Sequence, residues 1–132
     1  MSIGDIVNYQ NMVAVVINDN PIVIATNQGT TLTVSEGDIT LLLSRSFVLE
    51  EFAKCLAIRN IGAKTFTKGS IVMCNDLVGY VISTNKNQAC IVDVEGVPRW
   101  VLCKAVNELC NPHALALLLY DRIAAKCSKG GI

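Results

Sequence analysis

The chain has 132 residues, with eleven basic side chains balanced by eleven acidic ones. That length fits one compact domain or two very small ones. An apolar content of 52% and a mean hydropathy of +0.45 exclude disorder and lead us to expect some apolar surface covered by a second copy or a partner.

The elements follow from turn chemistry and hydrophobic period. Gly4-Asp5 opens a first strand over 3–9, and the run Met-Val-Ala-Val-Val-Ile makes a second over 12–18. Asn18-Asp19-Asn20-Pro21 is a strong turn, because Asn and Asp tolerate turn geometry and Pro presets its φ. A third strand over 22–26 leads into the Asn27-Gln28-Gly29 hairpin, a fourth spans 30–34, and a short fifth spans 39–42. Over 46–60 the period becomes helical, with Val48, Phe52, Cys55 and Leu56 on one face, Ser46 as N-cap and Gly62 as stop. Strands over 70–74, 77–83, 89–94 and 99–103 follow. A last helix begins at Asn111-Pro112 and runs to about residue 127, Asn capping it and Pro taking its first position.

Residues 3–43 and 68–108 read as two copies of one pattern. Gly4 matches Gly69, Ile6-Val7 matches Ile71-Val72, Met12-Val13 matches Leu77-Val78, and Val16-Ile17 matches Val81-Ile82. With two residues inserted in the second copy's turn, Gly29 matches Gly96 and Val34 matches Val101. The expected architecture is α+β, mostly strand: two strand-rich units, 1–62 and 63–132, each closed by a helix and packed together, because roughly 40 residues lie near the lower limit for a self-sufficient core.

Charge is unevenly laid out. Residues 1–44 hold Asp5, Asp19, Glu36 and Asp38 and no Lys or Arg, a net −4, whereas 45–68 are net +3 and 69–132 net +1. Gripping phosphates needs Lys or Arg. The strand part of the first unit, 1–44, is therefore a poor nucleic-acid binder, and its four carboxylates are the candidate surface for a protein partner with a basic face. Any nucleic-acid surface falls to Lys64, Lys68, Arg99 and Lys104, with Trp100 stacking on a base. Trp100 reads first as a filler of the core or of the seam between units.

Signals for catalysis or metal are sparse, and no cofactor is expected. His113 is the one histidine, at the start of a helix. The six cysteines form no CxxC pair and mostly sit in apolar runs, as reduced, small hydrophobes do. Cys103, Cys110 and His113 are spaced C-x6-C-x2-H, which matches no common zinc pattern. Gly62, Gly69 and Gly79 make no phosphate loop. The longest apolar runs, 39–43 and 114–120, fall far short of the ~20 residues of a spanning helix, and the N-terminus has no leader pattern. A cytoplasmic protein with no membrane contact is the expectation.

The stretches GDIV, MVAVVI, IVIA and G in the first copy, and GSIV, LVGYVI, CIVD and G in the second, resemble the small SH3-like barrels of the KOW, Tudor and related families. That resemblance implies small barrels that bind proteins or nucleic acids through loops and an open edge and are seldom enzymes. KOW modules that grip nucleic acid are basic, and the first unit here is not. GDIV also resembles part of the CHAP/NlpC-type cysteine peptidases, but Asn11-Met12 stands where their His would fall and no Cys precedes it. The function expected is a non-enzymatic interaction protein, an adaptor or inhibitor-like accessory factor of viral or bacterial type that forms homo-oligomers. A nucleic-acid-binding module and a small-ligand binder at the seam between units or subunits are the alternatives.

Overall fold

The computed structural model describes residues 1–51, 66–75 and 77–130, with 123–130 as helix backbone. Lys64 and Gly62, and with them the end of the first helix and the expected 62/63 boundary, lie outside the described residues. Among the described residues the fold is mostly β, with two antiparallel five-stranded sheets and two α-helices. Strands β1 (Ile6–Tyr9), β2 (Met12–Asp19), β3 (Ile22–Thr26), β4 (Thr31–Val34) and β5 (Thr40–Leu43) form the first sheet in the order β4-β3-β2-β1-β5. Helix α1 follows at 45–51. Strands β6 (Ile71–Cys74), β7 (Leu77–Thr84), β8 (Gln88–Val92), β9 (Pro98–Leu102) and β10 (Asn107–Cys110) form the second sheet in the order β10-β6-β7-β8-β9, and α2 (Pro112–Gly130) follows. Among the described residues no helix is long and apolar enough to cross a membrane.

The two sheets share strand order and local devices. Gly4, at φ +99°, donates its N–H to the Val16 carbonyl at 2.8 Å, and Gly69, at φ +87°, donates to Val81 at 2.8 Å. Both positions need the left-handed conformation that glycine adopts without a Cβ penalty. The β1–β2 turn has Gln10 and Asn11 at φ 48° and 66°, the pair of positive values that a type I′ hairpin requires. Asn75 repeats this at φ 54° in the β6–β7 turn. The β2–β3 pairing slips between Val16 and Asn18, and the β7–β8 pairing slips between Val81 and Ser83, a bulge at the same place in each. A short 3₁₀ turn precedes the last strand of each sheet, Glu36–Asp38 before β5 and Cys103–Ala105 before β10. The two-residue length difference falls in the hairpin turns: Asp19 pairs with Ile22, whereas Thr84 pairs with Ala89.

Sequence reading placed nine of these strands and missed β10. It also set the first cap two residues late. Ser44, not Ser46, accepts the N–H of Phe47 through its hydroxyl at 3.3 Å, and helix begins at residue 45. Asn111 caps α2 as expected, accepting from Ala114 at 2.8 Å.

Three apolar clusters hold the molecule. Val7, Ala14, Val16, Ile24 and Ile39 fill the first sheet's own core. Val72, Cys74, Val81, Ala89, Ile91 and Val106 fill the second's. The third is common to both: Ile6, Val13 and Val15 from the first sheet meet Ile71 and Tyr80 from the second, with Val48 and Leu49 of α1 and Leu115, Ala116 and Leu119 of α2. Adjacent residues such as Ile6 and Val7 are therefore both fully buried, one on each face of the pleat. This is why the strands carry continuous apolar runs instead of the polar-apolar alternation of a one-sided sheet. α2 crosses over to lie against β2 and β3 of the first sheet. Tyr80 is fully buried and its hydroxyl has no hydrogen-bond partner. Burial holds its phenol well above the ordinary tyrosine range. Burial, aided by the charge of Glu108, pushes the Cys110 thiol up to about 11.

Candidate functional site

Among the described residues β9 is an end strand, paired with β8 alone. The pleat sends Pro98, Trp100 and Leu102 to one face and Arg99 and Val101 to the other. Val101 packs on the second sheet's core. Trp100 is 52% exposed and Leu102 48%, and the preceding turn adds Val97 and Val94, also exposed. Trp100 and Leu102 thus put two large apolar side chains on one face of the edge strand, next to a turn whose valines are also exposed. Monomeric proteins seldom leave contiguous apolar surface of this kind without a use for it.

Asp93 shapes that turn. Its Oδ1 accepts the N–H groups of Glu95 at 2.9 Å and Val97 at 3.2 Å, folding the turn. Its Oδ2 stands 3.6 Å from the Nε of Arg99, which keeps the guanidinium beside the strand while more than half of that side chain stays in solvent. At the far end, Lys86 and Lys104 flank Leu102 around a shallow hollow. The outward face of β9 therefore combines an aromatic ring and aliphatic side chains with two flanking lysines, and Arg99 stands on the strand's other face. Trp and Arg are the residue types that most often anchor an interface. A smaller apolar group, Leu41, Leu42 and Phe47, is exposed where β5 runs into α1, with no such anchor.

The first sheet offers a control. Its edge strand β4 has Thr31 and Thr33 exposed where β9 has Pro98 and Trp100, and exposed Ser35 follows where Leu102 stands. The backbone is alike and the outward chemistry is not.

The acidic residues scatter into two roles. Asp5 is only 9% exposed. One of its oxygens accepts the N–H of Ser2 at 2.9 Å and the other accepts the N–H of Arg45 at 3.0 Å, so Asp5 ties the turn before β1 to the first residue of α1. Asp38 folds back on the N–H of Ser35 at 3.2 Å as part of a capping box. Asp19 and Glu36 are exposed, and the register sets them at one end of the first sheet: Asp19 pairs with Ile22, which pairs with Val34, two residues before Glu36. Of the basic candidates, Arg99 and Lys104 join Trp100 at β9. Lys68 lies elsewhere, its Nζ donating to the Asn18 side chain at 3.3 Å across the seam between sheets.

His113 Nδ1–H donates to the Thr26 carbonyl at 3.0 Å, and Cys103 and Cys110 sit in separate elements. Among the described residues no group of three or more His, Cys, Asp or Glu side chains is placed to hold a metal ion. Cys74, Cys90, Cys103 and Cys110 are unpaired thiols. Sequence reasoning named Trp100 but favoured the core for it. It missed Val94, Val97, Leu102 and Lys86; the Ser35/Leu102 mismatch between otherwise matching segments marked Leu102 as changed but not which side it faces. No family model, curated protein or solved structure matches this chain.

Proposed function

We propose that the chain is a non-enzymatic protein-interaction module, two SH3-like small barrels in tandem with a helix after each, that captures a partner on the outward face of β9. One observation carries this reading: Trp100 stands half exposed on an edge strand, on the same face as Leu102, where the matching strand of the first sheet presents Thr and Ser. The partner supplies an apolar patch for this strip and acidic groups for Lys86 and Lys104 at its far end. Asp19 and Glu36, the exposed acids at the end of the first sheet, add a weaker contact to basic groups.

The test uses Trp100→Ser combined with Leu102→Ser. Capture of protein partners from the native cell falls at least about tenfold, a loss of about 1.4 kcal/mol or more. Melting temperature changes little, because both side chains are exposed. Undiminished capture removes the reading. A second copy of the chain is the competing occupant: sedimentation showing a dimer that the double variant dissolves would assign the strip to self-association.

Nucleic acid is the second reading, favoured by an exposed tryptophan on an edge strand that also carries Arg99 on its other face and ends between Lys86 and Lys104. Three phosphate contacts on a single strand give a log–log salt slope of about −2. Binding to an oligonucleotide with that slope, abolished by Trp100→Ser, would put this reading first.

A further inference from the structure

We propose a second site, distinct from β9: the cleft between the first sheet and the start of α2 binds a small amphipathic carboxylate. The cleft holds about 650 Å³, within the roughly 300–1,000 Å³ of ligand pockets. Its floor is apolar, formed by Ile17, Val23 and Ala25 of β2 and β3. Lys68 and His113 also line it, and none of the described residues lining it is acidic. The sheet side of the cleft belongs to residues 1–44, whose charged side chains are all negative.

The walls are fixed across the seam by three contacts. The Lys68 ammonium is held by Asn18 at 3.3 Å. The ring of His113 is pinned through Nδ1–H to the Thr26 carbonyl at 3.0 Å, which leaves Nε2 as its other polar atom. Gly69 lets the 67–70 turn press onto the sheet: a Cβ there would stand 2.7 Å from Cγ2 of Ile17 and 3.2 Å from Cγ of Pro112. A cleft whose sides are already joined binds without a large ordering cost. An apolar floor beneath one ammonium selects a ligand with a hydrocarbon body and a single anionic head. The body covers Ile17 and Val23, and the carboxylate meets Lys68, a charge-assisted contact stronger than a neutral hydrogen bond.

The probe is octanoate, titrated into isotope-labelled full-length chain and followed by amide shifts. Shifts concentrated at Ile17, Val23, Thr31 and His113 are expected. Lys68→Glu weakens octanoate by about tenfold or more, and 1-octanol, which lacks the charge, is weaker by a similar factor. Lys68 is exposed, so the variant keeps the native melting temperature; Lys68→Ala gives a milder loss in the same direction. Several results overturn the proposal: no binding at millimolar octanoate, equal binding by Lys68→Glu, equal affinity for 1-octanol, shifts centred on Trp100 instead of the cleft, or inorganic phosphate binding as well as octanoate.

Discussion

The two sheets have one backbone plan and diverge in what they put on it. Where the first has Ala14, Val15, Thr33 and Leu43, the second has Gly79, Tyr80, Trp100 and Cys110. The first three of these changes act on different layers: Gly79 on strand contact, Tyr80 on the common core, Trp100 on the outside. Interior positions change within what packing tolerates. The outward face of the edge strand changes from hydroxyl to indole, which packing does not require. A difference that contributes nothing to folding is the best place to look for binding.

The largest expected effect tests whether the halves stand together. Leu115, fully buried in the common cluster, truncated to Ala should cost about 3 kcal/mol and lower a single unfolding transition. Two separate transitions in calorimetry would break the comparison by showing that each sheet melts alone. Next comes Gly79. A Cβ there would sit 2.3 Å from the Val92 carbonyl oxygen, a backbone atom that yields little. Gly79→Ala should cost about 2 kcal/mol by denaturant titration. The reverse change in the first sheet, Ala14→Gly, should cost only about 1 kcal/mol.

Tyr80 sharpens the contrast further. Its buried hydroxyl lacks a partner, and the matching Val15 has no hydroxyl to satisfy. Tyr80→Phe should therefore stabilise the chain by about 1 kcal/mol. The same region sets an alkaline limit. A thiol in the unfolded chain ionises near pH 8.5 and a tyrosine near pH 10, whereas folded Cys110 titrates at about 11 and Tyr80 higher still. Between those values the native state holds more protons than the unfolded one, so stability is full below about pH 8.5 and falls as pH rises toward 11. Melting curves at neutral and alkaline pH should show the decline, and Tyr80→Phe should blunt it. The smallest effect belongs to the acids. Reversing Asp19 and Glu36 to Lys should weaken partner capture by about 0.5 kcal/mol and leave stability unchanged. No loss in a quantitative pull-down would confine recognition to β9.

Most strands were legible because their ends carry strong turn residues: Gly4, Asn20-Pro21, Asn27 to Gly29, and Gly96. β10 was not, since Asn107-Glu108-Leu109-Cys110 is short, half polar and adjoins a helix cap. The side taken by Trp100 was also closed to sequence. When both faces of neighbouring strands are buried, alternation no longer marks which face meets water, and only the neighbouring strand order decides. Asp5 shows the same limit. A carboxylate in a turn reads as solvated, but its partner Arg45 is forty residues away. For the cleft, Lys68 and His113 were visible as residue types, and their shared wall depends on α2 crossing onto the other sheet.

That crossing bears on how the chain must be handled. A severed front half would bare Ile6, Val13 and Val15 as an oily slab, and a severed rear half would bare Tyr80 and Ile71 with no lid. Either fragment alone should clump. Produced side by side in one cell, each would find in the other the surface it was shaped to touch, and the intact particle would re-form from two polypeptides.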